Sequence, residues 1–486
     1  MLLYDYLELF FQDQYIEKNQ YINHDISIFT DESGKCQPLS VFYAIKGTRC
    51  DGNNYIGDAI KHGARTVICE KIPKNRIDRV NYMKVKSPLD SYQEALMYSI
   101  KNELKKIKII GITGTNGKTT VATLTYGIFK YLNISAMFIG TNGTYVYNAK
   151  TKKELIITTP NTTPKLSIIV NLIKKHPKIN YLVMEASSEA LKSNRIDKIL
   201  FDTVVFTNLG HDHLDSHHTI NEYRNAKLKL FTLTKSKANA IINVDDKNAK
   251  YFLNCSKNKD LNIKTYGILG GEIRGEILTL NKDYMMIKVF SSNFEYVIGT
   301  NLLGSFNLLN ILAALTIIET EKIPLNHVLG FFEKQLLIDG RYEKYIINNR
   351  NVYIDYAHNP NAVKEFLKLI NKIKENSKII TVIGAGGQKD VKKRPKMGKY
   401  ATFYSDKVIF TEDNSRNESV NEIINDLVSD LNINNYLIEY NRELAIKMAA
   451  KISKPADYII LLGMGTDLYT NGKTDLQMIN EVKWNE

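Results

Sequence analysis

Lys118 and Thr119, directly after Gly114-Thr115-Asn116-Gly117, are the residues of this chain best suited to chemistry. They follow the β-branched run Ile109-Ile110-Gly111-Ile112-Thr113 and, with Thr120, read as the opening of a helix. A buried strand, a Gly-rich turn and a helix beginning Lys-Thr form a phosphate cradle. Glycines let backbone N–H groups face an anion, the helix N-terminus adds positive potential, and the lysine neutralises phosphate charge. The Thr119 hydroxyl is then placed to ligate Mg²⁺. The spacing departs from G-x-x-x-x-G-K-[ST], because Ile112 stands where the first glycine belongs, with Gly111 and Gly114 on either side. A ligand-free strand–helix turn is the bland alternative, but it does not explain Lys-Thr-Thr directly after a buried strand. Nucleotide binding is expected.

Other stretches carry possible ligands. Tyr181-Leu182-Val183-Met184-Glu185 ends a buried-strand pattern on a carboxylate. Beside a phosphate cradle that is a Mg²⁺ position; an acidic cap for the next helix is the alternative. Asn208–His218 holds four of the nine histidines. His211, His213 and Asp215 fit the H-x-H-x-D-H pattern of dinuclear zinc hydrolases. Ser216 breaks it, and only His327 and His358 lie downstream to complete two sites. A polar surface loop is the other reading. Glu222–Phe231 reads as an amphipathic helix whose lysines, Lys227 included, belong by spacing to a solvated face.

The elements that must position these groups fall into three blocks. In residues 1–88, Ser40–Ile45 and Thr66–Cys69 read as strands around the turn Lys46–Gly52, and a helix is expected around Ser91–Lys101. From 89 to 336, Lys108–Gly111, Tyr181–Glu185, Thr203–Thr207 and Ala240–Val244 are buried-strand candidates alternating with helices. From 337 to 486, Val352–Asp355, Ile379–Gly384, Lys407–Thr411 and Tyr458–Leu462 repeat the pattern. Such alternation implies mostly parallel sheets wrapped by helices, with ligands outside the C-terminal strand ends. An α/β fold of three domains is expected.

A length of 486 residues, 44% hydrophobic and 24% charged, fits a multidomain globular protein. No apolar run reaches the length of a membrane span. Met1–Glu8 lacks a basic region followed by an apolar core, and Cys36, Cys50, Cys69 and Cys255 are scattered, so a cytoplasmic chain with reduced thiols is expected. The net charge of +13 is spread along the chain without aromatic interleaving. It suits polyanionic small substrates rather than nucleic acid.

Taken in order, Gly114–Thr120, Glu185, Asp212-His213, Ala226-Lys227-x-x-Leu230-Phe231, Gly304-Ser305-Phe306-Asn307, Asp339-Gly340-Arg341 and Asp355-Tyr356-Ala357-His358-Asn359-Pro360 resemble the Mur ligase family over nearly the whole chain. Asn161-Thr162-Thr163-Pro164, Gly386–Pro395 and Asp413-Asn414-Ser415-Arg416 point to its MurE type. The resemblance implies an N-terminal UDP-binding domain, a central P-loop-type ATP domain and a C-terminal Rossmann-like amino-acid domain. It implies a monomeric ligase of peptidoglycan synthesis that adds the third residue to UDP-N-acetylmuramoyl-L-alanyl-D-glutamate through an acyl phosphate. Thr119 and Glu185 would hold one Mg²⁺, and His213 with Lys227 a second, Lys227 being carbamylated by CO₂. Lys118 and the loop Gly114–Thr120, with Asn307, Arg341, Asp355 and His358, would contact ATP.

For the acceptor the family pattern falls on Ser33, Thr48, Arg49, Cys50, Asn161, Thr162, Thr163, Ser187, Ser193 and Arg195. For the incoming amino acid it falls on Lys389, Asp413, Asn414, Ser415, Arg416, Gly463 and Asp467. Here the chain departs from relatives that take meso-diaminopimelate. Ser415 replaces Pro, Lys389 replaces an arginine, and Asp467 is one methylene shorter than the usual Glu. Arg416 keeps the fork for a distal carboxylate, so meso-diaminopimelate is expected, with L-lysine or another diamino acid as alternatives. A folylpolyglutamate-type ligase and a non-catalytic binding protein are the rivals. The pattern at Ser33 and Thr48–Asp51 argues against the first, and intact Lys118, Glu185, His213 and Lys227 against the second.

Overall fold

The computed structural model describes residues 1–10, 21–47, 50–469 and 471–484. The chain forms two compact units: Met1–Ile107 with Pro164–Lys178 and Asn194–Leu200, and Lys108–Thr163 with Ile179–Ser193 and Phe201–Glu486.

The first unit is built on a parallel sheet of β1 (Phe29–Thr30), β2 (Ser40–Tyr43), β3 (Ala64–Cys69) and β4 (Asn81–Lys84), paired in that order. β2 stops two residues short of the expected Ile45, where the Ile45 N–H turns back onto the Tyr43 carbonyl at 2.9 Å. The expected helix starts earlier, at Pro88, and runs to Tyr98; the Ser87 side chain accepts from Asp90 N, and proline at the first turn has no N–H to lose.

The second unit holds two sheets. The larger comprises β5 (Lys108–Thr113), β6 (Ala136–Gly140), β7 (Gly143–Asn148), β8 (Lys153–Ile157), β9 (Tyr181–Glu185), β10 (Phe201–Phe206), β11 (Thr234–Asn243), β12 (Asn262–Gly267), β13 (Ile273–Leu280), β14 (Met285–Phe290) and β15 (Glu295–Thr300). Their order is β15-β14-β13-β12-β11-β10-β5-β9-β6-β7-β8. The interior strands are parallel and covered on both faces, which is why they read as unbroken apolar runs. The margins β6–β7–β8 and β13–β14–β15 are antiparallel, which the sequence pattern had not signalled. β5 connects onward to β6 on one side while β10 pairs on the other, so the loop after β5 leaves the sheet at a switch in strand order.

The smaller sheet contains β16 (Glu343–Ile347), β17 (Arg350–Asp355), β18 (Ile379–Ile383), β19 (Lys407–Phe410), β20 (Tyr436–Ile438) and β21 (Tyr458–Leu462). Its order is β16-β17-β21-β18-β19-β20, and only the β16–β17 pair is antiparallel. A largely buried helix, Ser305–Thr320, packs on the larger sheet and against the helix Lys118–Tyr131.

Gly111 earns its place by packing. A Cβ there would lie 2.6 Å from Cε1 of the fully buried Phe201 ring. Gly111→Ala is therefore expected to destabilise the protein by about 1–3 kcal/mol through overpacking, read as a lower urea midpoint at unchanged m-value. An unchanged midpoint would show that the ring yields freely.

Candidate active site

The glycine loop is fastened to the end of β10. Thr115 N donates to the Asn208 carbonyl at 2.8 Å, Asn116 N to Asn208 Oδ1 at 3.0 Å, and Thr207 Oγ1 to the Asn116 carbonyl at 2.7 Å. Gly117 caps the following helix at φ +86°, and a Cβ on it would fall 2.4 Å from Asn310 Oδ1. Only glycine satisfies both the backbone and the space. Lys118 Nζ folds back to the carbonyls of Gly114 (2.9 Å) and Thr115 (3.0 Å). Its proton affinity is lowered by burial, against the pull of Glu185 and Asp212.

Glu185 ends β9 fully buried. It accepts from Thr119 Oγ1 at 3.1 Å, Thr141 N at 2.8 Å and Thr141 Oγ1 at 3.3 Å. Ser187, not Glu185, caps the next helix, so the capping alternative for the carboxylate falls away. The pair Thr119–Glu185 offers hard oxygen donors at the mouth of the loop, a set that suits Mg²⁺ bound partly through phosphate and water.

Lys227 overturns its helical spacing. The helix Ile220–Leu228 turns it inward until 1% of its surface remains exposed. Its Nζ donates to the Gly114 carbonyl at 2.7 Å and sits 4.3 Å from the centre of the Tyr223 ring. Burial, reinforced by Lys118, holds its pKa well below the usual lysine value, with Asp212 opposing. A buried neutral amine is the form that can react with CO₂. His213 stands at φ +55° with Nδ1 shielded from water, lacking a hydrogen-bond partner, and 3.6 Å from Glu189 Oε1. The histidine loop is no plain surface loop either, since His217 is fully buried with Nε2 3.0 Å from Ser188 Oγ. Among the described residues no three His, Cys, Asp or Glu side chains converge as a metal cluster.

Asp212 is the hub that sequence reasoning left without a role. It is 3% exposed and meets Lys393 Nζ at 3.1 Å, His358 Nε2 at 3.3 Å and Asn359 Nδ2 at 3.3 Å. Burial raises its pKa, but Lys393, His358 and His213 overcome this and hold it well below the usual carboxylate range. His211 Nε2 meets Asp390 Oδ2 at 2.7 Å, and Asn359 Nδ2 reaches Asn116 Oδ1 at 2.8 Å. These contacts bring the ends of β10, β17 and β18 against the glycine loop. Asp390 and Lys393 sit three residues apart in Gly386–Pro395, and that spacing was the available signal.

The expected ATP residues vary in setting. Asn307 is buried and donates to the Leu303 carbonyl at 2.9 Å. Arg341 stacks 4.4 Å from the centre of the Tyr356 ring. Asp355 accepts from Tyr342 N and Ala357 N at 2.8 Å, and burial raises its pKa against the pull of Arg341. His358 Nδ1 lies 2.7 Å from the Tyr356 carbonyl.

The expected acceptor residues are divided. Ser33, Cys50 and Arg195 belong to the first unit, and Thr48 and Arg49 lie outside the described residues. In the second unit Thr162 Oγ1 is 3.1 Å from Thr141 Oγ1, and Thr163 Oγ1 donates to the Glu185 carbonyl at 2.8 Å and to Ser187 Oγ at 3.2 Å. Asn161 is exposed, and Ser193 follows the short helix Ser188–Lys192.

The expected amino-acid residues are spread along the loops after β18, β19 and β21. Asp413 is buried, with Oδ2 so close to Gly463 that a Cβ there would lie 2.2 Å away; burial raises its pKa. Asn414 is exposed, and the Ser415 carbonyl packs on Gly387. Arg416 is exposed and spends one N–H on the Gly387 carbonyl at 3.1 Å. Lys389 leans toward Glu189 (3.7 Å) and Asp215 (3.8 Å), and Asp467 accepts from the Tyr356 hydroxyl at 2.8 Å.

Family models match three successive segments: "Mur ligase family, catalytic domain" over residues 25–116, "Mur ligase middle domain" over 112–318, and "Mur ligase, glutamate ligase domain" over 340–465. The chain is 35% identical to the UDP-N-acetylmuramoyl-L-alanyl-D-glutamate--2,6-diaminopimelate ligase of Fusobacterium nucleatum, covering 90% of this chain and 88% of that one. The chain belongs to the Mur ligase family. Among solved structures of the family, a UDP-N-acetylmuramoyl-L-alanyl-D-glutamate--2,6-diaminopimelate ligase matches with TM-score 0.67 at 25% identity over 94% of both chains. A MurF ligase from Thermotoga maritima in complex with ADP shares the fold, with TM-score 0.65 at 18% identity over 93% and 96% of the two chains.

The buried amine of Lys227 has a measurable consequence. Its folded pKa lies below its unfolded one, so between the two the unfolded chain binds more protons and stability rises with pH. Lys227→Met is expected to flatten that rise and to stabilise the protein at neutral pH. Urea midpoints across pH 7–10 in CO₂-free buffer check this; an unchanged slope would show that Lys227 stays charged.

Proposed function

We propose that this chain joins 2,6-diaminopimelate to UDP-N-acetylmuramoyl-L-alanyl-D-glutamate at the expense of ATP, in the cytoplasm and as a step of peptidoglycan synthesis. The observation that carries the reading is the placement of Lys118 and Lys227 on one carbonyl, that of Gly114, beside the Thr119–Glu185 pair. A purely structural P-loop has no use for a second buried lysine. The names of the similar ligases supply the acceptor and the amino acid.

In this reading the larger sheet serves ATP, the smaller sheet the amino acid, and the first unit the uridine end of the acceptor. The D-glutamyl carboxylate attacks the γ-phosphorus of ATP, the bond to ADP breaks, and an acyl phosphate forms. The amine of the incoming residue then attacks the acyl carbon, phosphate leaves, and the amine gives up a proton. Both steps bring anions together, so the protein contributes chiefly position and positive charge. Lys118 and the loop N–H groups hold the triphosphate. Thr119 and Glu185 would hold one Mg²⁺, and His213 with a carbamate on Lys227 a second, which when bound offset phosphate charge. The neutral Lys227 amine forms that carbamate by adding to CO₂ and losing a proton, which turns a neutral nitrogen into an anionic oxygen donor. Arg416, with its remaining N–H groups facing solvent, takes the distal carboxylate of diaminopimelate.

ADP release with the UDP-muramoyl dipeptide and a panel of amino acids tests this. Strongest stimulation is expected from meso-diaminopimelate. Arg416→Ala is expected to lower its kcat/KM by about 30-fold or more while leaving KM for ATP nearly unchanged. Preference for L-lysine, or an Arg416→Ala enzyme of unaltered preference, would overturn the distal-carboxylate assignment.

A further inference from the structure

Three loops meet at Tyr356. Its N–H donates to the Gly340 carbonyl at 3.0 Å, its ring carries the Arg341 guanidinium at 4.4 Å, and its hydroxyl donates to Asp467 Oδ2 at 2.8 Å. Gly465 closes the junction at φ +56°, where a Cβ would lie 2.8 Å from Tyr356 Cδ2 and 3.1 Å from Gly340 Cα. Any larger residue there would push the ring off its seat. Beside this junction is a cavity of about 220 Å³ lined in part by Thr141, Thr158, Asp339, Arg341, Tyr356 and Asp467. Thr141 is also a partner of Glu185, so one wall of the cavity touches the phosphate end of the site. Asp339 is fastened too, its carbonyl accepting from Asn142 Nδ2 at 2.9 Å and its carboxylate from the Tyr145 hydroxyl at 3.2 Å.

Asp467 is an exposed side chain on a loop, and left to itself it would sample several rotamers. Bound to a phenol whose ring is wedged between a guanidinium and a glycine, it has one direction. Burial and the Asp467 carboxylate both raise the Tyr356 pKa, so the hydroxyl remains a donor at neutral pH.

We propose that Tyr356 is a positioning residue for amino-acid selection, its hydroxyl aiming Asp467 at the ammonium of the incoming residue while its ring seats Arg341 on the nucleotide side. The inference rests on the function proposed above and adds to it a residue through which the two substrate ends share one support. Preorganising a short acid in this way supplies what its missing methylene would otherwise cost.

The test is steady-state ADP release by the full chain with the UDP-muramoyl dipeptide, varying 2,6-diaminopimelate and ATP separately. Tyr356→Phe is expected to raise KM for the amino acid about five- to tenfold, the scale of one ordinary intramolecular hydrogen bond, with KM for ATP within about twofold of the parent. Asp467→Asn is expected to have a similar effect, and Tyr356→Phe added to it should cost less than about twofold more. Tyr356→Leu, which removes the ring, should raise KM for ATP as well. Fully additive effects of Tyr356→Phe and Asp467→Asn would overturn the proposal, as would a Tyr356→Phe enzyme with unaltered amino-acid KM. Tyr356→Phe keeps the ring, so its result stands even where Tyr356→Leu fails to fold. A parent that releases ADP with no amino acid of the panel would overturn the proposed function itself, whereas an active parent indifferent to Tyr356→Phe would overturn this inference alone.

Discussion

Two lysine side chains on one carbonyl oxygen set the terms for the rest of this site. Lys118 and Lys227 both donate to the Gly114 carbonyl, so two full charges there would stand within about 6 Å, where an effective dielectric near 20 gives roughly 3 kcal/mol of repulsion. The conflict is relieved where burial is deepest. Lys227, nearly sealed from water, loses its proton more readily than Lys118, which is only half-buried and whose pKa burial lowers less. Burial, with the neighbouring lysine adding to it, thus pushes the Lys227 amine toward its neutral form. Glu185 and Asp212 supply the balancing negative charge from opposite sides of the loop.

Asp212 does a second thing. Its carboxylate is charged, buried and surrounded by donors from the smaller sheet, namely Lys393, His358 and Asn359. Such a group is costly unless every donor is in place. The ends of β17 and β18 are therefore held against the P-loop by the same electrostatics that tune the lysines. The bond between Asn359 and Asn116 and the contact between His211 and Asp390 point the same way.

The strand order gives these side chains a common place to meet. β5, β9 and β10 are adjacent in the larger sheet, and their C-terminal ends deliver the glycine loop, Glu185 and the Asn208–His213 loop side by side. In the smaller sheet β17, β21, β18 and β19 deliver Asp355, Gly463, Gly384 and Asp413 from one edge. Parallel pairing is what puts all the ends on one side.

The sequence by itself determined the parts whose physics is local or repetitive. Buried parallel strands must be apolar on both faces, so β5, β9, β10, β18 and β21 were legible as runs, and the glycine loop with Lys118 and Thr119 announced its own chemistry. The order of motifs, through family resemblance, placed Glu185, His213 and Lys227 in one chemistry, though helical spacing alone put Lys227 in solvent. Only the tertiary structure decided the rest. Lys227 is buried because the Gly114 carbonyl and the Tyr223 ring close over it, and Gly114 lies over a hundred residues away in the chain. The outer strands β8, β13, β14 and β15 were not read because they are half-exposed and lack long apolar runs, β13 alternating between buried and open positions. Gly111 falls in the expected strand, but why glycine is needed there was settled only by Phe201 packing against it. Asp212, Lys393, Tyr356 and Asp467 acquire their roles from partners on other strands and loops, and no spacing along one segment encodes a contact made across two sheets.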